Sequence, residues 1–464
     1  MSDKMHITEL KELLTRIIEE YSKEKSIFGI PEIDFYKEKA DTHYYIFDDA
    51  SVTPIGPAAG PHTQLTQNIV SAYLTGGRFF ELKTVQILDE LTVEKPCIDS
   101  YDECYNVEWS QELKLHESFD EYIKAWFILH FLRTLLNPQS GSGRGFIFNM
   151  SVGYNLEGIK QERMQTFINS MIDASKSSLF SEYKNYFLAE FNGNTFKKFL
   201  EKNFTDYQLI LQKLQEIFEN ISPKMSNSVT LSTMHGCPPE EIESIAKYLI
   251  SEKGLNTYVK LNPTLLGYQM VNETLTKLGY SNVFLNEHSF ESDLKFIDAV
   301  PMITRLKEFA FEHKKEFGVK LSNTLAVKNK REVMPGEEMY MSGRSLFPLT
   351  INVAAKLAET FKGELNISFS GGASIYNSDD ILKCGIFPIT YATDLLKPGG
   401  YRRLNQIANK LDNEFSGDFK KSLINIDYLQ KLAESSLTDL YYKKEKRSIE
   451  SIKVDSELPP FDCF

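Results

Sequence analysis

Eight short segments of the chain share one pattern of apolar and polar positions, an apolar run that ends in small or polar residues. They are Thr53-Pro-Ile-Gly-Pro-Ala-Ala-Gly60, Phe80-Glu-Leu-Lys-Thr84, Phe146-Ile-Phe-Asn-Met-Ser-Val-Gly-Tyr-Asn155, Val229-Thr-Leu-Ser-Thr-Met-His-Gly236, Val259-Lys-Leu-Asn-Pro-Thr264, Val319-Lys-Leu-Ser-Asn-Thr324, Ile367-Ser-Phe-Ser-Gly-Gly372 and Pro388-Ile-Thr-Tyr-Ala-Thr393. The apolar part of each predicts a buried strand, and stretches of helical period lie between most of them. A strand that finishes in Lys-Thr, Asn-Thr or Gly-Gly packs a core with one part and presents polar groups with its end. Eight such units predict a (β/α)8 TIM barrel, an α/β fold whose chemistry sits on the rim of C-terminal strand ends.

Other stretches decorate this frame. Ile7, Leu10, Leu13, Leu14, Ile17 and Ile18 fall at helical spacing with one buried stripe, and Ser26-Ile-Phe-Gly-Ile-Pro31 ends it, so residues 1–45 read as an N-terminal helical arm. The barrel spans 46–411. Its connections 86–145 and 156–227 exceed a simple strand-to-helix link and predict lids or subdomains. Residues 412–464 read as a helical tail or linker, and the ending Glu457-Leu-Pro-Pro-Phe-Asp-Cys-Phe464 as leading toward a part absent from this chain. No repeat beyond the strand–helix alternation is visible.

Composition narrows the function classes. Of 464 residues, 42% are hydrophobic and 25% charged, as in an ordinary globular protein. The net charge of −12 and the lack of a basic block argue against a nucleic-acid surface, which needs a positive field. The five cysteines, Cys97, Cys104, Cys237, Cys384 and Cys463, are scattered, with no Cys-x-x-Cys pair, which points to a reducing compartment. No signal peptide and no run of ~20 apolar residues is visible, so a cytoplasmic protein off the membrane is expected. No metal-ligand spacing is found, and no metal is expected.

The strand ends carry the candidate chemistry. Ser370-Gly371-Gly372 and Ala392-Thr393-Asp394 end the last two strands, the usual phosphate position in barrels, and Ser342-Gly343-Arg344-Ser345 precedes an apolar helix whose start would donate to the same anion. Ala58-Ala59-Gly60 offers a flat surface for a planar ring. Lys83 and Lys260 each end an apolar run, where a cation needs a partner; the N1–O2 edge of a flavin, anionic on reduction, provides one. Asn155, Asn262 and Asn323 with Thr264 and Thr324 match the alternating donors and acceptors of a cyclic amide or ureide. Ser232-Thr233-Met234-His235-Gly236-Cys237 places a hydroxyl, an imidazole and a thiol within a few positions for moving a proton, and Cys237 stands before a helix start that would favour its thiolate.

In order along the chain, Thr53–Gly60, Lys83-Thr84, Met150–Asn155, Leu231–Gly236, Lys260-Leu-Asn-Pro, Ser322-Asn-Thr324, Ser342-Gly343 and Gly371-Gly372 resemble the FMN barrel of dihydroorotate dehydrogenase, and more closely the pyrimidine domain of dihydropyrimidine dehydrogenase. The whole chain is most similar to the N-terminal part of the bacterial selenate reductase flavoprotein subunit family, in which iron–sulfur and FAD/NAD(P)H segments follow the barrel. The resemblance implies that Ala59, Gly60, Lys83, Lys260, Gly343, Gly371, Gly372 and Thr393 touch FMN, with Thr84 and Ser342 beside them. It implies that Asn155 and Asn323, joined by Asn106, hold a heterocycle. The family's catalytic Cys or Ser falls at Thr233, and its Asn three residues earlier at Thr230. Threonine is a poor acid or base, so His235 or Cys237 takes over, or the reaction differs from that of the pyrimidine enzymes.

The expectation is therefore an FMN oxidoreductase acting on a C=C or C=N bond of a purine- or pyrimidine-type ring. Its electrons would come from an iron–sulfur, FAD and NAD(P)H module on a missing segment or a partner, since no Gly-x-Gly-x-x-Gly follows a strand here. The alternative is an electron-relay flavoprotein without its own small-molecule substrate. Nothing in the residues suits an oxyanion reductase. A homodimer is expected by analogy with related barrels.

Overall fold

The computed structural model describes residues 5–39, 42–88, 92–100, 103–107, 111–140, 143–232, 236–330 and 332–444. Each of the eight predicted segments supplies one parallel barrel strand: β1 (Ile55–Pro57), β2 (Phe79–Glu81), β3 (Ile147–Gly153), β4 (Ser228–Ser232), β5 (Asn256–Leu261), β6 (Phe317–Leu321), β7 (Asn366–Phe369) and β8 (Ile389–Tyr391). Neighbours in the sheet are neighbours in the chain, and β8 returns to pair with β1 at Ile389 and Ile55. The Arg78 N–H donates to the Ile55 carbonyl at 2.8 Å, drawing β1 onto β2. The strands stop where their apolar runs stop, so the polar ends, Lys83 and Thr84 among them, follow on the C-terminal rim.

The barrel interior departs from the apolar filling typical of this fold. Glu81, Asn149, Thr230, Lys320, Ser368 and Thr390 are all buried, on six different strands. Asn149 Nδ2 donates to Thr230 Oγ1 at 2.8 Å, and Lys320 Nζ lies 2.9 Å from Glu81 Oε2. Apolar burial is concentrated outside this layer, between the strands and the helices around them. Helices Thr66–Leu74, Leu115–Leu136, Pro239–Ser251, Phe296–Glu312, Phe347–Thr360 and Arg402–Glu414 make most of that ring.

Leu115–Leu136, inside the first long insertion, is buried on nearly every side. Five helices between Leu156 and Glu219 make the second insertion and cover its outer face. They do so with phenylalanine: ring centroids lie 6.0 Å apart for Phe127–Phe187 and 4.8 Å for Phe187–Phe218. The arm helix, Leu10–Glu24, buries Leu10, Leu13, Leu14 and Ile17 of the predicted stripe and adds Tyr21, while Ile18 is half-buried and Ile7 precedes the helix.

Two small sheets close the ends. At the N-terminal pole, the hairpin Thr42–Ile46 with Asp49–Ser51 pairs with Gly417–Phe419. At the C-terminal mouth, Ile98–Asp99, Tyr105–Asn106, Leu325–Lys328 and Glu338–Met341 form a four-stranded cover. The expected linker is, as far as residue 444, a packed element. Helix Ile426–Ser436 buries Leu429, Ala433 and Ser436, and Tyr442 stacks on Phe347 at 4.8 Å. No helix among the described residues is long and apolar enough to cross a membrane.

Candidate functional site

The strand ends and the four-stranded cover enclose a cavity at the C-terminal mouth, with about 1390 Å³ of space that opens to solvent. All ten residues expected at a cofactor line it: Ala59, Gly60, Lys83 and Thr84; Lys260; Ser342 and Gly343; Gly371, Gly372 and Thr393. Asn106, Asn323 and Thr324 line it as well.

The walls differ in chemistry. On the side of β7 and β8, Gly371 and Gly372 run against the start of helix Phe347–Thr360. A Cβ on Gly371 would lie 2.1 Å from Thr350 Oγ1, and one on Gly372, whose φ is +78°, would lie 2.5 Å from the Phe347 nitrogen. Thr393 Oγ1 donates to Ser342 Oγ at 2.8 Å, which ties the β8 end to the start of that helical region. Arg344 and Lys397 face the same side. Burial, together with Arg403 and Arg344, holds the Lys397 ammonium below its ordinary pKa even though Asp394 opposes the shift. Asp394 itself is paired with Arg403 at 3.2 Å. This wall is a side-chain-poor cradle at a helix start beside clustered cations, the arrangement that takes a phosphate.

Across the cavity, Ala58, Ala59 and Gly60 present backbone, and His62 stands behind them. Its ring is buried, its Nε2 lies 3.2 Å from the Tyr391 carbonyl, and its Nδ1 has no hydrogen-bond partner. The carbonyl can only accept, so Nε2 carries the hydrogen and Nδ1 is left as an acceptor. Burial, reinforced by Lys83, lowers the His62 pKa from 6.5 to about 4. The folded ring thus stays neutral down to about pH 4, whereas an unfolded chain takes up the proton near 6.5. Its contribution is complete above pH ~6.5 and is lost as pH falls toward 4, by roughly 2 kcal/mol at pH 5. Thermal melts of His62→Gln between pH 7 and 5 are expected to show a flatter decline than the parent. The remaining slope comes in part from His130, which burial lowers to about 3. An undiminished slope would assign the dependence elsewhere.

The third wall is neutral and polar. Asn323 Nδ2 donates to Asn262 Oδ1 at 2.7 Å, and Asn262 Nδ2 donates to Asp293 Oδ2 at 2.9 Å. Asn262 therefore stands one step behind the cavity and orients Asn323. Asp293 is 4% exposed and gathers more: Thr264 Oγ1 donates to the same oxygen at 2.9 Å, and the Gly236 N–H donates to Oδ1 at 3.0 Å. It ties the loop after β4 to the ends of β5 and β6.

Two expectations read differently in the structure. Asn155 does not line the cavity; its Oδ1 accepts the Gly158 N–H at 2.8 Å and caps helix Leu156–Lys160, the commonest local use of asparagine. Cys237 is not poised as a thiolate: burial and the nearby Glu241 carboxylate push its pKa up to about 11, outweighing the helix start. Thr233 and His235 lie outside the described residues. Residues not anticipated from the sequence also line the site, among them His62, Cys104, Lys397 and Tyr441. Tyr441 arrives from the tail, where its carbonyl accepts from Arg344. Among the described residues, no group of three or more His, Cys, Asp or Glu is placed to hold a metal.

A family model described as "Oxidoreductase YgfK, N-terminal TIM-barrel domain" matches residues 28–444. Two curated proteins named "Putative oxidoreductase YgfK", from Escherichia coli strain K12 and Escherichia coli O157:H7, are each 51% identical over 468 residues, covering 100% of this chain and 44% of their own length. The chain thus spans less than half the length of these relatives. Neither name refers to selenate. Among solved structures, ligand-free DHODH from Eimeria tenella matches at 14% identity and a TM-score of 0.44, over 90% of this chain and 99% of that one. The same enzyme with ferulenol matches at 13% identity and 0.44. Overlays this loose carry no argument, and the fold rests on the strands themselves.

Proposed function

The chain belongs to the oxidoreductase family of the YgfK N-terminal TIM-barrel domain, and from that premise we propose that its mouth binds FMN and a planar nitrogen heterocycle. The observation that carries this reading is the cradle at Gly371-Gly372, packed so closely on the start of helix Phe347–Thr360 that no side chain fits. The phosphate would rest there, with Ser342, Thr393 and Lys397 around it. The ring would lie on Ala58–Gly60, which His62 supports from behind. Lys83 and Lys260 would face the polar edge of the ring.

Bound there, FMN would supply hydride transfer to a C=C or C=N bond, or in reverse from the corresponding CH–CH or CH–NH bond. The chain does the rest. Asn323, oriented through Asn262, and Asn106 would hold the alternating amide edge of a purine- or pyrimidine-type ring, a urate-like ring being one such substrate. The cover strands Ile98–Asp99 and Tyr105–Asn106 would limit the access of water. The loop between Ser232 and Cys237 would hold the group that moves the proton. Electrons would be supplied by an iron–sulfur, FAD and NAD(P)H module in cis or in trans, for which the greater length of the relatives leaves room.

The test is an absorbance spectrum from ~300 to 550 nm after reconstitution with FMN, then anaerobic photoreduction and addition of urate, xanthine, uracil and orotate in turn. A flavin spectrum re-oxidised by one of these rings is expected. Flavin that binds but ignores every ring would favour the relay reading, and failure to take up FMN would end the proposal.

A further inference from the structure

The sequence Val-Lys-Leu occurs twice, at Val259-Lys260-Leu261 and Val319-Lys320-Leu321. The strands that carry it, β5 and β6, are adjacent and parallel, and Lys260 stands directly opposite Lys320 in register. Two ammonium groups side by side inside a barrel repel. Glu81 on β2 enters between them. Its Oε2 lies 2.9 Å from Lys320 Nζ, and its Oε1 lies 3.9 Å from Lys260 Nζ and has no hydrogen-bond partner.

The two lysines are held in different ways. The Lys320 side chain is 1% exposed and also donates to Thr390 Oγ1 at 2.5 Å and Ser368 Oγ at 3.3 Å. The Lys260 side chain is 12% exposed and lines the cavity. Glu81 further accepts from the Ala59 N–H at 3.4 Å, in the strip on which the ring would lie. Burial and Lys260 lower the Lys320 pKa, whereas Lys320 and Lys260 together hold Glu81 below the usual carboxylate range against its burial.

We propose that Lys320 is a positioning residue that occupies the Glu81 carboxylate so that Lys260 extends its charge into the cavity, where it favours reduced over oxidised flavin. The proposal rests on the FMN reading. Of the three charges, one positive charge is left over, and it belongs to the group that reaches the cavity. Without Lys320, Glu81 would draw Lys260 back and cancel it.

The experiment is an anaerobic titration of the FMN-reconstituted full chain against a reference dye. Lys320→Gln keeps hydrogen-bonding atoms for Thr390 and Ser368 but removes the charge. It is expected to lower the reduced-over-oxidised ratio at fixed potential about tenfold, or about 30 mV for a two-electron couple. The double variant Lys320→Gln/Glu81→Gln is expected to return to within about twofold of the parent, since neither partner then competes for Lys260. Glu81→Gln alone is expected not to lower the ratio, and a fall there overturns the proposal even if Lys320→Gln does not fold. An unshifted midpoint in Lys320→Gln, with a lowered melting temperature only, would make the pair a structural filler. A shift that the double variant fails to reverse would also overturn it. A parent chain without a flavin spectrum would instead remove the FMN reading beneath it.

Discussion

Gly372→Ala is expected to strip the protein of flavin, weakening FMN binding by at least about 100-fold, or ~2.7 kcal/mol. The residue sits at φ +78°, where a Cβ costs roughly 1–2 kcal/mol before any contact is counted. The Cβ would then meet the Phe347 nitrogen at 2.5 Å and its Cα at 2.8 Å. Those are backbone atoms at the start of a helix, and Phe347 is fully buried and stacked on Tyr442, so neither side can yield cheaply. The loop must move, and with it the backbone groups proposed to hold the phosphate. Fluorescence titration with FMN reads the effect, and far-UV circular dichroism checks that the barrel remains. A Kd within about threefold of the parent would place the phosphate elsewhere.

Asp293→Ala is the second large effect, and it acts through three donors at once. The substitution removes the acceptor of Asn262, Thr264 and the Gly236 N–H. A hydrogen bond to a carboxylate contributes about 1.5–3 kcal/mol, and a buried donor left unpaired adds its own cost. Gly236 lies at the surface and can turn to water; Thr264 is buried and cannot. A net loss of about 2–4 kcal/mol is expected, measured as a lower urea midpoint with an unchanged slope. The functional loss should exceed the structural one. Without Asp293, Asn262 loses the acceptor of its amide nitrogen and holds Asn323 less firmly, so re-oxidation of reduced flavin by a responsive ring is expected to slow at least ~10-fold while FMN affinity holds. If FMN affinity falls in parallel, Asp293 supports the whole mouth rather than the ring-binding wall.

Much of this architecture is legible in the chain because two signals coincide at each strand. The apolar run marks burial, and the polar residues that end it mark the rim; Phe80-Glu-Leu-Lys-Thr84 and Val259-Lys-Leu-Asn-Pro-Thr264 show both. Reading the interior as apolar fails at Glu81 and Lys320 because a charge within a strand is tolerated when another strand supplies its partner, and pairing across the barrel leaves no local trace. The repeated Val-Lys-Leu is the one signal that could have pointed to Lys320. The mouth cover was hidden for a different reason. Its strands Ile98–Asp99 and Tyr105–Asn106 are two residues long, too short for any period, and the second pairs with Glu338–Met341 far along the chain. Asn155 misleads because helix capping and ring recognition call on the same amide. Asp293 lies in a turn rich in acidic residues, where nothing distinguishes a buried carboxylate from a solvated one.

The sheet at the N-terminal pole sets an order on synthesis. Thr42 pairs with Gly417, and Ile55 of β1 pairs with Ile389 of β8. At roughly 5–20 residues per second, these partners leave the ribosome tens of seconds apart. Through that interval β1 has an unfilled edge, and the hairpin that seals the pole has nothing to seal. The phenylalanine-rich helices between Leu156 and Glu219, which bury one another and Leu115–Leu136, are by contrast complete well before β8 is made. A nascent chain would therefore carry a self-contained helical body attached to an open half-barrel, and a ribosome stalled shortly before β8 would display that edge to any neighbouring copy.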